Sequence, residues 1–139
     1  NAAARVILPI TDPYVIHHGA LGSFATAYLP EEANTDEILN RLSAIEGIML
    51  VLKRDQAVKR FQLPVDRIGD LIIISSENVA IGTSVDKHDL AALDEPLRSH
   101  GGLTEQEVPF IANRRMELPT APQLRNFDAF YFATIAARA

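Results

Sequence analysis

The sequence predicts an α/β or α+β fold, on three observations. Short apolar runs alternate with stretches of helical spacing, and glycine or proline falls between them. A third feature is the run Leu71-Ile72-Ile73-Ile74, apolar at four successive positions, which suits a strand covered on both faces.

Val6 to Pro9 is read as the first strand, after which Thr11-Asp12-Pro13 turns the chain and Gly19 and Gly22 flank a bend. The chain starts with Asn1 rather than Met and runs at once into that strand, which predicts a piece of a longer polypeptide. Phe24 to Leu29 is the next strand, closed by Pro30-Glu31-Glu32. Thr35 to Ile45 is a helix: Asn34 caps it, Glu37 stands at the capping-box position, and Asp36 and Glu37 face the positive end of the helix dipole. Ile38, Leu39, Leu42 and Ile45 then share one face.

Gly47 ends that helix and Ile48 to Lys53 reads as a buried strand. A short helix from Gln56 to Phe61 turns Val58 and Phe61 inward, and Pro64 closes it. After the Ile68-to-Ile74 strand, Val79 to Thr83 is expected as its hairpin partner across Ser75 to Asn78. The order β-α-β-α-β-β over residues 23–84 predicts an open-faced sheet with two helices on one side. Asp86 to Gly102 is polar and irregular, Val108 to Ala112 one more short strand, and Asn126 caps a last helix. On that helix Phe127, Phe130, Tyr131, Thr134 and Ile135 form the apolar face.

Composition narrows the function classes. The 139 residues bound the chain to one domain, or one domain with a small inserted subdomain. With 47% hydrophobic and 22% charged residues it forms a core, which excludes a disordered or fibrous protein. Thirteen basic against eighteen acidic residues give −5, with the basic ones scattered, so no nucleic-acid partner is expected. No apolar run reaches the ~20 residues of a membrane span. The absence of cysteine removes thiolate metal sites and cysteine nucleophiles, and favours a cytoplasmic setting.

Histidine is the informative residue type, with four copies. His100 precedes Gly101-Gly102, which let the backbone pass close to whatever the imidazole binds. Neutral imidazole is a common metal ligand, and local sequence leaves two readings of His100: a ligand, or a surface-loop histidine beside a flexible turn. His17 and His18 are adjacent on an extended segment and point to opposite faces, so they do not clamp one ion. His88, between Asp86 and Asp89, reads as part of a solvated charged turn. No G-x-S-x-G elbow, phosphate loop or dinucleotide fingerprint occurs.

The segment Leu97-Arg98-Ser99-His100-Gly101-Gly102-Leu103, with Glu105 and Val108-Pro109, resembles the C-terminal metal-ligand segment of the alkaline phosphatase superfamily. Thr11 to Ser23, Asp66 to Leu71, Asp86 to Leu90 and Leu124 to Asp128 resemble, more narrowly, the phosphonoacetate hydrolase family within it. The resemblance implies an α/β fold: the C-terminal part of an alkaline-phosphatase-like core, residues 1–19 and 89–139, with a small α+β (β-α-β-α-β-β) cap subdomain at residues 20–88. It further implies a di-zinc hydrolase cleaving the carbon–phosphorus bond of phosphonoacetate to acetate and phosphate.

Carried over residue by residue, only His100 maps onto a zinc ligand. The family's threonine nucleophile and its other ligands lie upstream of the matching region, and Thr11, Thr26, Thr35, Thr83 and Thr104 lack that context. No catalytic residue is therefore expected in this chain, which is expected to be inactive alone and unsaturated with zinc. Two rival readings stay open: a part of a related phosphodiesterase or phosphatase of the superfamily, and a metal-free module whose open core face is covered by a second copy.

Overall fold

The computed structural model describes residues 3–8, 22–84, 88, 101–113 and 124–134. The chain divides into two compact units, Asn1–Glu107 and Val108–Ala139.

The first unit is built on a four-stranded antiparallel sheet of order β1-β2-β4-β3: β1 Arg5–Ile7, β2 Phe24–Tyr28, β3 Ile48–Lys53 and β4 Leu71–Ser75. Helix α1 (Thr35–Ser43) joins β2 to β3, and α2 (Arg54–Phe61) with a 3-10 turn (Val65–Arg67) joins β3 to β4. β2 and β3 both run antiparallel to β4, hence parallel to each other, with β4 inserted between them as in a split β-α-β unit. β1 joins the free edge of β2 from Arg5↔Tyr28 to Ile7↔Thr26, and the Arg5 guanidinium lies 4.5 Å from the Tyr28 ring centre.

The central place of β4 explains its composition. All five of its residues are buried. Leu71 and Ile73 join Ala25, Ala27 and Val51 in a cluster on which Ile38, Leu39 and Leu42 of α1 pack. Ile72 and Ile74 join Ala57 and Ile68 in a second cluster, which Val58 and Phe61 of α2 complete. Alternation along β4 thus sends its side chains to two helices on opposite faces of the sheet. This corrects the expectation of both helices on one side. Ile72 is wholly buried at the middle of the sheet. Ile72→Ala is expected to cost about 3 kcal/mol. A urea titration checks it, and a cost below ~1 kcal/mol would contradict this packing.

Local chemistry sets the helix ends. Asn34 caps α1, its Oδ1 accepting the Glu37 N–H at 3.2 Å. α1 stops at Ser43, so Ile45 lies beyond it and is exposed, and Gly47 turns the chain at φ +87°. At α2 the Gln56 side chain accepts the Lys53 N–H at 3.0 Å, and Gln62 leaves the helix in the left-handed region at φ 54°.

Val79 to Thr83 forms no hairpin with β4. Ser75 turns its hydroxyl onto the Val79 carbonyl, and Ile81 makes a single antiparallel bridge with Gly22 instead. In the second unit, residues 108–112 form no strand: Pro109 offers no N–H to a ladder, and Val108 and Ile111 are exposed. Helix α3 spans Asp128–Thr134, and Asp128 accepts the Arg125 N–H at 2.7 Å across the turn before it. Within this unit Phe132 is the buried side chain of α3, with Phe110 at 5.4 Å and Tyr131 at 5.6 Å between ring centres. Of the predicted apolar face, Phe127 lies just before α3 and is exposed, as are Phe130, Tyr131 and Thr134, and Ile135 lies outside the described residues.

Candidate functional site

The residues that follow His100 are held firmly. Gly101 adopts φ +81°, a conformation that glycine supplies without strain. Gly102 is buried against Ser23, where an added Cβ would stand 3.1 Å from the serine Cβ. Its N–H donates to Glu105 Oε2 at 2.8 Å, and the Ser23 hydroxyl donates to Glu105 Oε1 at 3.5 Å. Leu103 opens the 3-10 turn Leu103–Glu105 and packs on the Ile72–Ile74 cluster. The glycine pair expected to bring the backbone close is therefore a docking point on the residue just before β2. Sequence reasoning missed Glu105 as the group that closes this loop; its place three residues after Gly102 was the available signal.

His100, His17 and His18 lie outside the described residues, as do Asp86 and Asp89. His88 is described and is buried rather than solvated. Its Nε2 accepts the Thr83 N–H at 3.0 Å and stands 3.1 Å from the Thr83 hydroxyl. The ring thereby satisfies a loop backbone donor, the reason burial is tolerated at a position surrounded by charge in the sequence. Among the described residues no group of three His, Cys, Asp or Glu side chains could hold a metal ion, so they do not by themselves make a zinc site.

A second polar cluster ties the ends of β2, β3 and β4. Asp70 accepts the Leu29 N–H at 2.8 Å and pairs with Arg54 Nη2 at 2.8 Å. Arg54 Nε also donates to the Gly69 carbonyl at 3.3 Å. A cavity of about 330 Å³ beside it is lined by Thr35, Lys53, Arg54, Asp55, Val65 and Asp70. Both cations there are already matched, Arg54 by Asp70 and Lys53 by Asp36 at 2.6 Å. The described residues that line the cavity offer no unspent positive charge to an anion, and the exposed Lys53–Asp36 pair adds little stability. No helix among the described residues is long and apolar enough to cross a membrane.

No protein-family model matches the sequence. The chain is 55% identical over 38 residues to a curated phosphonoacetate hydrolase of Penicillium oxalicum, a match that takes in 25% of this chain and 53% of that protein. Two crystal structures of phosphonoacetate hydrolase from Sinorhizobium meliloti 1021, one in complex with phosphonoformate and one with phosphonoacetate, each superpose with a TM-score of 0.79 at 70% identity. Each match covers 97% of this chain and 33% of that one, so the chain spans one third of the length of that relative. Nearly the whole chain, sheet and helices included, is thus similar to a fragment of the phosphonoacetate hydrolase fold.

Proposed function

We propose that this chain is part of a di-zinc hydrolase that cleaves the carbon–phosphorus bond of phosphonoacetate to acetate and phosphate, with His100 as its one zinc ligand. The carrying observation is 70% identity over 97% of the chain to an enzyme crystallised with phosphonoacetate. In this reading residues 20–88 are the cap subdomain and residues 1–19 and 89–139 are core segments. The substrate is a small phosphonate and the setting is cytoplasmic.

Two bound zinc ions would neutralise charge on the attacking and transferring oxygens together. The chain's own part is positional. Gly102, Glu105 and Ser23 anchor the backbone two residues after His100. The remaining donors and the nucleophile come from polypeptide beyond this chain, since affinity for zinc depends on several converging ligands.

The test is a hybrid in which these 139 residues replace the matching third of the S. meliloti enzyme. Phosphate release from phosphonoacetate, with zinc retained, is expected; a folded hybrid that holds zinc and leaves phosphonoacetate intact would sink the substrate assignment. The 139-residue chain alone is expected to carry far less than one zinc and to release no phosphate. Elemental analysis and a phosphate assay on one sample check this, and stoichiometric zinc with turnover would overturn it.

A further inference from the structure

We propose that Glu105 is a positioning residue for His100, holding the backbone just beyond that residue to the centre of the sheet. This rests on the reading of His100 as a zinc ligand in a phosphonoacetate hydrolase. Glu105 closes the 3-10 turn Leu103–Glu105 and is exposed. An exposed glutamate ordinarily gives its oxygens to water. Both oxygens of this one are instead bonded within the chain: Oε2 accepts the Gly102 N–H at 2.8 Å, and Oε1 accepts the Ser23 hydroxyl at 3.5 Å.

Behind Ser23 stands the central strand. Ser23 is buried, and its carbonyl accepts the N–H of Ser75 at 3.0 Å, the last residue of the fully buried β4. Gly102 is buried against the Ser23 side chain, and Leu103 packs on the Ile72–Ile74 cluster. One carboxylate therefore ties a loop to the sheet across 82 positions of sequence. Gly102 is two residues from His100, so the chain itself passes a displacement of one to the other. Metal sites are sensitive to such support: loss of a group that orients a ligand costs about 10–100-fold in affinity.

The experiment measures zinc affinity by chelator competition in the hybrid hydrolase, together with hydrogen exchange at the Gly102 amide. Glu105→Ala removes both bonds at an exposed position, so the core is left intact. It is expected to weaken zinc binding about tenfold and to speed exchange at Gly102. Glu105→Gln is the rescue: its amide oxygen can accept the Gly102 N–H while its nitrogen donates to Ser23 Oγ, so affinity should return close to that of the unsubstituted hybrid. Val51→Ala, which loosens the cluster on the other face of the sheet from Leu103, should lose stability and keep its zinc affinity. Unchanged affinity in Glu105→Ala would overturn the proposal. So would equal weakness in Glu105→Gln, which would make the negative charge the cause, or an equal loss in Val51→Ala, which would make it general instability. A hybrid that binds no zinc before any substitution fails the hydrolase reading instead. Exchange at Gly102 then decides alone whether Glu105 holds the loop: faster exchange in Glu105→Ala supports the hold, and an unchanged rate ends it.

Discussion

Gly69→Ala is expected to destabilise the first unit by about 3 kcal/mol or more, the upper end for overpacking a core. A Cβ at Gly69 would collide with the Ala27 carbonyl oxygen and would stand 2.6 Å from Thr26 Oγ1 and 2.7 Å from the Ala27 carbonyl carbon. None of these atoms is the loose end of a long side chain. They belong to β2, which is paired through Phe24–Ala27 with the central strand β4. They are also hydrogen-bond partners of the same segment: Gly69 N–H donates to Thr26 Oγ1 at 2.7 Å, and Asp70 N–H donates to the Ala27 carbonyl at 2.8 Å.

Relieving the clash means moving β2 away and losing both bonds, and each buried donor left without a partner costs about 1–3 kcal/mol. Arg54 and Leu29, which are tied to the same corner through Asp70, would lose their geometry too. The measurement is thermal unfolding, with a fall in Tm of about 10 °C or more expected for a domain of this size. Gly102→Ala is the internal comparison, because its nearest obstacle is 3.1 Å away and the cost should be smaller. Equal stability of Gly69→Ala and the wild type would show that the β2–β4 corner is not held as described.

How much of this was legible beforehand depends on the range of the contact involved. The start of α1 could be read because Asn34, Asp36 and Glu37 act within one turn, and the burial of β4 because four apolar residues in a row admit few other settings. The side of the sheet that each helix covers could not be read. It follows from β4 entering between β2 and β3, a pairing between residues distant in sequence that leaves no local mark. The Thr26–Gly69 bond spans 43 positions, and the sequence marks it only as a threonine and a glycine. α3 fails differently. Phe130, Tyr131 and Thr134 share a face of it, but amphipathicity names a face to be covered without naming the cover, and Phe132 is the buried residue instead. Of the candidate site, the loop after His100 was legible in its glycines, while its closure by Glu105 and Ser23 emerged only from the packing. His88 was misjudged because neighbouring charges suggested solvent, whereas its ring is buried as an acceptor for Thr83.

The second large effect is expected at His100. In the hybrid hydrolase, His100→Ala should lower zinc occupancy and phosphonoacetate turnover together. A catalytic zinc site commonly rests on three protein ligands and an open position, so removing one donor leaves a site that cannot compete for the ion. Loss of a group that only hydrogen-bonds a ligand already costs ~10–100-fold in metal affinity, and loss of a ligand itself should exceed about 100-fold. The decisive readout is zinc per chain after dialysis against a weak chelator, with turnover measured on the same sample. His88→Ala makes the contrast: with Nε2 engaged by Thr83, it should keep its zinc and lose stability, about 1 kcal/mol for the Thr83 bond alone. Unchanged zinc in His100→Ala would end the ligand assignment. Full zinc with slow turnover would place the imidazole on the substrate instead. Only joint loss, recovered in part as zinc is raised in the assay, matches a residue whose contribution to the reaction is the ion it holds.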